Sequence, residues 1–441
     1  MTSTDLIIIG AGPGGYRAAA YAAQKGLSVT VIEKEQLGGT CLNSGCIPTK
    51  SLCHDAEAGN TNLADIIQRK DQVVSQLRDG VQSLLAAPGI TFIKGQARFI
   101  QTDGCTCTIQ VTDSSGQVSE LTAADVIIAT GSHAKLPPIQ GIDLPQVVTS
   151  TELLSLQNLP PRLCIIGAGV IGMEFASCFQ AFGSQVTVIE FLKECLPNMD
   201  ADIAKRLRKS LEKRGIDFHL QSAVQGIDTT PGSTALRVRF AQKGKDLDVE
   251  ADLVLVATGR AANTEGLNLE AVGVKTERGN IVVNPDTFLA APHIYAIGDV
   301  NGRQMLAHAA TYQGLRAVNH ILGQSDNIRL DIMPAAVFTH PEAACVGPTE
   351  EQLKAESLPY IVHKGFYRAN GKALATNASE GLVKVFTDPS DHIIAAHILG
   401  AHASDMVQEV ASLMNCGVTL GQLRNMVHIH PTLAEMLTEV S

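Results

Sequence analysis

The chain has 441 residues, 45% hydrophobic and 18% charged, too long for a single core, so about two to four domains are expected. A net charge of −10 with no basic block argues against nucleic acid or an anionic membrane as partner, and no apolar run approaches the ~20 residues of a membrane span. Ten cysteines are too dilute for a secreted disulfide scaffold, and residues 1–5 are polar ahead of an apolar run of only four, so a cytoplasmic protein is expected, in which thiol pairs cycle rather than staple.

The first apolar strand runs from Asp5 into Gly10-x-Gly12-x-x-Gly15, followed by an alanine-rich helix and a second buried strand, residues 29–32, closed by Glu33. Strand, glycine turn, helix, strand and acid in that order make a dinucleotide site. The first glycine turns the chain and the second admits a pyrophosphate. The third packs helix on strand, and the acid accepts hydrogen bonds from a ribose.

Residues 37–50 read Leu-Gly-Gly-Thr-Cys-Leu-Asn-Ser-Gly-Cys-Ile-Pro-Thr-Lys, placing Cys41 and Cys46 five apart. On an ideal helix that spacing separates Cα atoms by roughly 8–9 Å, whereas a disulfide tolerates about 7 Å. A bridge therefore needs a distorted segment, for which Gly45 offers the backbone freedom, and such a bridge would be strained and easily reduced. From spacing alone, two unlinked buried cysteines remain an equal alternative. Lys50 falls four residues past Cys46, on the same face of any helix there.

The nucleotide unit recurs 157 residues later: residues 165–169 repeat residues 8–12, Gly167, Gly169 and Gly172 match Gly10, Gly12 and Gly15, and residues 186–190 repeat residues 29–33 letter for letter. One glycine fingerprint is weak, but two at identical spacing in the same context imply two bound dinucleotides. Glu33 and Glu190 favour a free ribose hydroxyl, so NAD is expected over NADP; Lys193, the nearby cation, is read as a surface residue.

Ala129-Thr130-Gly131-Ser132 and Ala257-Thr258-Gly259-Arg260 each follow an apolar strand, 125–128 and 252–256, as paired exits from equivalent units. Gly141 and Pro145 mark a crossing into the second nucleotide unit, and residues 259–264 a return. Residues 294–297 form a further strand leading to Gly298-Asp299, and Met305-Leu306-Ala307-His308 open a helix. From about residue 330, strands at 382–386 and 393–399 and an amphipathic helix at 405–414 indicate a terminal α+β domain. That domain carries His428-Ile429-His430-Pro431-Thr432-Leu433-Ala434-Glu435, where imidazole and carboxylate suit proton transfer at neutral pH, although such a pair alone is more often structural. No ligand cluster completes a metal site around His428 and His430. Cys105 and Cys107, sharing one face of a strand, are read as packing.

These motifs together resemble the dihydrolipoyl dehydrogenases, a branch of the FAD-dependent pyridine nucleotide-disulfide oxidoreductases, over nearly the whole chain. The resemblance rests on the Gly38–Lys50 block, both glycine fingerprints, Gly298-Asp299, residues 305–308 and His430-Pro-Thr-Leu-x-Glu435. It implies an α/β fold with two Rossmann-like dinucleotide-binding domains and a C-terminal α+β dimerisation domain. The expected boundaries are 1–142 (FAD-binding), 143–261 (NAD-binding), 262–329 (a return to the first domain) and 330–441 (the interface domain). The first fingerprint would bind FAD through Gly10, Gly12, Gly15, Glu33, Lys34, Gly39, Thr40, Lys50, Thr130, Gly131, Ser132, Asp299 and residues Met305, Leu306, Ala307 and His308. The second would bind NAD through Gly167, Gly169, Ile171, Gly172, Glu190 and Gly259. By the same resemblance Cys41 and Cys46 form the redox disulfide, Cys41 exchanging with substrate and Cys46 facing the flavin. Lys50, paired with Glu174, favours the thiolate, and His430, held by Glu435, is the base. The implied substrate is a dihydrolipoyl group on an acyltransferase or a glycine-cleavage carrier, and the implied assembly is a homodimer sharing two sites, with the His430–Pro431 bond cis.

Two features depart from the family pattern: residues 51–89 look short, and the segment after His308 lacks acidic residues. A glutathione-type reductase would want basic residues where Glu190 and Phe191 stand. Mercuric reductase would carry a C-terminal cysteine pair, whereas Cys416 stands alone, and a non-catalytic docking subunit would have lost part of the redox set.

Overall fold

The computed structural model describes residues 2–229 and 232–441, which divide into two compact units, residues 1–51, 68–135 and 260–330 in one and residues 52–67, 136–259 and 331–441 in the other. The first unit is built on an eight-stranded sheet whose centre is the strand Thr2–Ile9, paired in parallel with Val29–Glu33 on one side and Val118–Ile128 on the other. Residues 6–9 of that strand are apolar on both faces because both are covered. Leu6 and Ile8 pack with Ala18, Ala19 and Ala22 of the Pro13–Gln24 helix, and Ile7 and Ile9 pack on the opposite side with Phe99, Ile109 and Val126. A continuous apolar run is what a parallel strand between two layers requires.

The second unit repeats the arrangement. Arg162–Ile166 lies between Gln185–Ile189 and Leu253–Val256 in a five-stranded parallel sheet, with Val170–Phe182 as the following helix. A three-stranded antiparallel sheet, Ser222–Thr229, Leu236–Gln242 and Lys245–Ala251, packs beside it. Residues 331–441 add a five-stranded antiparallel sheet, with Ala403–Asn415 packed over it through Met406, Val407 and Val410. The fold is therefore the mixed α/β architecture expected, with paired nucleotide units and an α+β terminal portion. The strands anticipated at 125–128 and 252–256 are seen as Val118–Ile128 and Leu253–Val256, and the helix anticipated from Met305 begins at Ala307.

Cys105 and Cys107 do not share a strand face. Asp103 Oδ1 accepts from the backbone N–H groups of Cys105 and Thr106, which curls the chain into a turn; Cys105 is exposed, and the strand Cys107–Thr112 starts only at the buried Cys107. Among the described residues no helix is long and apolar enough to cross a membrane.

Candidate active site

In both nucleotide units the three glycines do different work. Gly10 and Gly167 have positive φ, +105° and +107°, and a Cβ on either would collide with the carbonyl of Ala129 or Ala257, the first residue of the two matched exits. Gly15 and Gly172 lie where a Cβ would strike the carbonyl of Gly10 or Gly167, so they set how closely helix packs on strand. The middle glycines have no such reason to be glycine. Gly12 and Gly169 have ordinary extended backbones, φ −74° for both, and cap the N-termini of their helices without a side-chain cap. A Cβ on Gly169 would meet nothing within 4 Å, and one on Gly12 only the Cα of Gly39 at 3.9 Å. Open space at an uncapped helix N-terminus is the shape a pyrophosphate needs, so both cradles fit a dinucleotide.

The acids that close each motif are duplicated as well. Glu33 Oε2 accepts from Ala11 N–H at 2.8 Å and its Oε1 from Glu35 N–H at 2.7 Å; Glu190 Oε2 accepts from Ala168 N–H at 2.5 Å and its Oε1 from Leu192 N–H at 2.7 Å. Each carboxylate is buried and ties its strand end to the glycine turn, and each oxygen keeps a further lone pair with which to accept. Lys34 is an exposed side chain in an ion pair with Glu35, and Ile171 is half-buried in the first turn of its helix.

The cysteine segment starts on the first cradle: a Cβ on Gly39 would lie 2.7 Å from the Cα of Gly12. Two helices meet at Gly45, Gly39–Ser44 and Cys46–Glu57, and Gly45 itself has φ −145° and ψ −117°. A side chain there would press on the Thr40 carbonyl at 2.9 Å and the Cys41 Cα at 3.3 Å. The break expected from the spacing is therefore present, and it brings Cys41 and Cys46 into side-chain hydrogen-bond contact. That hydrogen bond first, then burial and the charge of Cys46, push the Cys41 thiol far above its ordinary range, while Lys50 acts the other way. Cys46 and Lys50 both lie in the Cys46–Glu57 helix, as the spacing suggested.

Asp299 stands in a short 3-10 turn, Gly298–Asn301, and accepts a hydrogen bond from Ser132 Oγ at 2.5 Å. Thr130 and Asn263 exchange hydrogen bonds, Thr130 Oγ1 to the Asn263 carbonyl at 2.7 Å and Asn263 Nδ2 to the Thr130 carbonyl at 2.9 Å. Gly131 and Gly259, φ +70° and +124°, turn the two exits; Thr40 and His308 are exposed, Met305 is 40% exposed, and Leu306 caps the helix that Ala307 begins. Sequence reasoning missed two residues here. Arg260 donates to Ser132 Oγ at 2.7 Å and to the Ser132 carbonyl at 2.6 Å, and it lies 3.8 Å from Asp299. Burial lowers its pKa, and charge at Asp299 and Cys46 opposes that shift, so Arg260 is a second cation acting on Cys46. Gln313, buried, accepts from Gly298 N–H and Asn301 Nδ2 and so fixes the turn that carries Asp299. Arg260 stood in the matched Ala-Thr-Gly exit, and that position was its only signal.

In the second unit Glu174 is buried on its helix, with Oε1 accepting from Phe338 N–H at 2.9 Å. His430 Nδ1 meets Glu435 Oε1 at 2.9 Å across a cis His430–Pro431 bond, and the imidazole is 80% exposed. The Thr432 backbone N–H first, then His430, hold the Glu435 carboxyl below its usual range, so the carboxylate stays ionised and orients the ring. His428 is engaged elsewhere, with Nε2 on Glu409 Oε1 at 2.8 Å. Among the described residues no His, Cys, Asp and Glu cluster forms a metal site.

The profile described as pyridine nucleotide-disulphide oxidoreductase matches residues 4–314, and the dimerisation domain of the same family matches residues 333–441. A mitochondrial dihydrolipoyl dehydrogenase of Pisum sativum is 39% identical over 457 residues, spanning 99% of this chain and 90% of that protein. A leghemoglobin reductase of Glycine max is 38% identical, spanning 99% and 87%. Among solved structures, the HOCl-induced flavoprotein disulfide reductase RclA of Escherichia coli superposes with a TM-score of 0.90 at 33% identity over 100% of this chain and 99% of that one. LpdA of Mycobacterium tuberculosis does so with 0.92 at 29% identity, over 100% and 98%. The cofactors of the family are FAD and NAD, two dinucleotides for two cradles. With both cradles, the cysteine segment and the terminal domain accounted for over the full length, the chain belongs to the pyridine nucleotide-disulphide oxidoreductase family.

Proposed function

We propose that the chain is a dihydrolipoyl dehydrogenase, oxidising a protein-bound dihydrolipoyl group and reducing NAD. The observation that carries this reading is the Cys41–Cys46 pair, brought into side-chain contact by the break at Gly45, with Lys50 one turn past Cys46 in the same helix and Arg260 acting on Cys46. In the oxidised enzyme a substrate thiolate attacks Cys41 Sγ, the Cys41–Cys46 bond breaks, and Cys46 leaves as the thiolate that both cations favour. The second substrate thiol then attacks the mixed disulfide, closing the lipoyl ring and releasing Cys41; His430, oriented by Glu435, takes its proton. Bound in the first cradle, FAD would supply a two-electron acceptor for the Cys46 thiolate, and NAD in the second cradle would supply the final hydride acceptor.

In this reading the cradle of Gly10, Gly12 and Gly15 with Glu33, Thr40 and Asp299 holds FAD, and that of Gly167, Gly169 and Gly172 with Glu190 holds NAD. The domains are residues 1–142, 143–261, 262–329 and 330–441, the last forming the two-fold interface of a homodimer. The lipoyl group arrives on an acyltransferase or a glycine-cleavage carrier, and the enzyme works in the cytoplasm, where dilute cysteines remain reduced.

A second reading, a disulfide reductase with another small substrate, is favoured by the likeness to RclA, a flavoprotein disulfide reductase. The deciding experiment assays NAD reduction by free dihydrolipoamide beside NADPH-dependent reduction of glutathione disulfide. Activity confined to the first pair supports the proposal, and activity confined to the second overturns it.

A further inference from the structure

A second pair of cysteines meets away from the first. Cys53 lies seven residues beyond Cys46 in the Cys46–Glu57 helix, and Cys178 lies four residues beyond Glu174 in the Val170–Phe182 helix. The Cys178 thiol donates to Cys53 Sγ at 3.1 Å, although the two are 125 residues apart in the chain. About 1 Å of further approach reaches the ~2.05 Å of a disulfide bond. The two sulfurs differ in access: Cys178 is 2% exposed in a core with Phe175 and Phe179, and Cys53 is half-buried at its border.

We propose that Cys53 and Cys178 form a second, reversible dithiol–disulfide pair, a modification site that links the helix beginning at Cys46 to the helix behind the second cradle. The oxidant is a hydroperoxide. Cys53, the accessible sulfur, attacks the terminal peroxide oxygen as thiolate, the O–O bond breaks and an alcohol or water leaves, giving a sulfenic acid on Cys53. Cys178 attacks that sulfur, the S–O bond breaks and water leaves, so two thiols and one hydroperoxide yield one disulfide, one alcohol or water, and one water. Two exchange steps with a dithiol restore both thiols. The chemistry stands apart from turnover, because none of its steps uses Cys41 or Cys46. Held against each other on two helices, the partners meet at high effective concentration, which favours the intramolecular bond over further oxidation of Cys53.

The test treats the FAD-loaded protein with hydrogen peroxide, alkylates remaining thiols, digests without reductant and maps linked peptides by mass spectrometry. The protein is first reduced with dithiothreitol and desalted, so that loss of alkylation at Cys41 and Cys46 after the peroxide shows that the oxidant acted. The expected result is a peptide joining the Cys53 and Cys178 segments, two hydrogens lighter than their sum, that vanishes after dithiothreitol. Cys53→Ser should keep bound FAD and lose that peptide; because Cys178 is in the core, this half-buried variant decides the matter even where Cys178→Ser does not fold. Both thiols remaining alkylatable, a trapped Cys53 sulfenic acid that never links, or a link from Cys178 to Cys164 or Cys345 instead would each overturn the proposal.

Discussion

Ala168 donates its backbone N–H to Glu190 Oε2 at 2.5 Å, as Ala11 does to Glu33 Oε2 at 2.8 Å. The acid read from sequence as a ribose acceptor therefore also closes the glycine turn of its cradle. Glu190→Arg then does two things at once. It removes the ribose acceptor in favour of a phosphate donor, and it leaves two N–H groups, of Ala168 and Leu192, without their acceptor. An unsatisfied buried donor costs about 1–3 kcal/mol. NAD should bind at least about tenfold more weakly, NADP should gain, and the melting temperature should fall. Titration of both nucleotides with a thermal scan checks this; unchanged nucleotide preference would show that Glu190 does not face the ribose.

The glycines allow a sharper separation of folding from binding. Gly169→Ala adds a methyl where nothing lies within 4 Å, on a backbone any residue adopts, so the protein should fold with stability equal to or above the parent. NAD affinity should drop about tenfold or more, because the methyl occupies the approach of the pyrophosphate. Gly172→Ala should behave oppositely: its Cβ meets the Gly167 carbonyl, so stability falls first. Equal effects of the two substitutions on nucleotide affinity at equal stability would refute this division of roles.

Cys41→Ser should keep FAD bound and stop turnover with dithiol substrates. Cys46 then has no disulfide partner, and Arg260 together with Lys50, four residues on in the same helix, favours its thiolate. A long-wavelength absorption band from a thiolate next to oxidised flavin is expected, weakened in Cys41→Ser/Arg260→Met, since one of the two cations is gone. Retained dihydrolipoamide oxidation in Cys41→Ser would exclude Cys41 as the exchanging sulfur.

Lys384, 1% exposed, is held by Asp200 at 2.8 Å on both oxygens and by Glu350 at 2.9 Å. Removing one partner of a buried ion pair costs about 3–5 kcal/mol, so Lys384→Ala should shift denaturant unfolding by that amount, with Asp200 left buried and uncompensated. Glu350, bonded to Lys354 and then Lys384, has its carboxyl lowered to about 2. A depressed carboxylate contributes stability above its unfolded value of about 4.3 and loses it as pH falls toward 2. Acid unfolding should therefore begin below about pH 4.3, and Glu350→Gln should flatten that limb; an unchanged limb would assign it to other carboxylates.

The parts legible in the sequence were those written locally. A repeated glycine motif, an acid at a strand end, and a glycine between two cysteines each specify nearby backbone, and Gly45 breaks the helix where the spacing demanded it. Cys105 was misread because alternation predicts a shared face only once a strand has begun, and Asp103 curls the chain before it does. Arg260, Gln313 and the Lys384–Asp200 pair were invisible for a different reason. Their partners lie 128, 15 and 184 residues away, and no local spacing announces a tertiary hydrogen bond.

His430 lies 389 residues from Cys41, and spacing says nothing about whether one chain supplies both to a site. The terminal portion matches a dimerisation domain, and around the exposed His430 the side chains of Val427 and Ile429 are 100% and 80% exposed. Apolar groups left so open beside a proton-transfer pair suit a surface that a second copy covers. In a homodimer with shared sites, each site takes its cysteines from one chain and its His430–Glu435 pair from the other. A Cys41→Ser chain mixed with a His430→Gln chain under subunit exchange then yields heterodimers holding one doubly damaged site and one intact site. Activity should reappear, approaching one intact site per heterodimer. If each chain completed its own site, every site would keep one lesion and mixing would restore nothing, so an inactive mixture with the heterodimer confirmed by mass would rule out sharing.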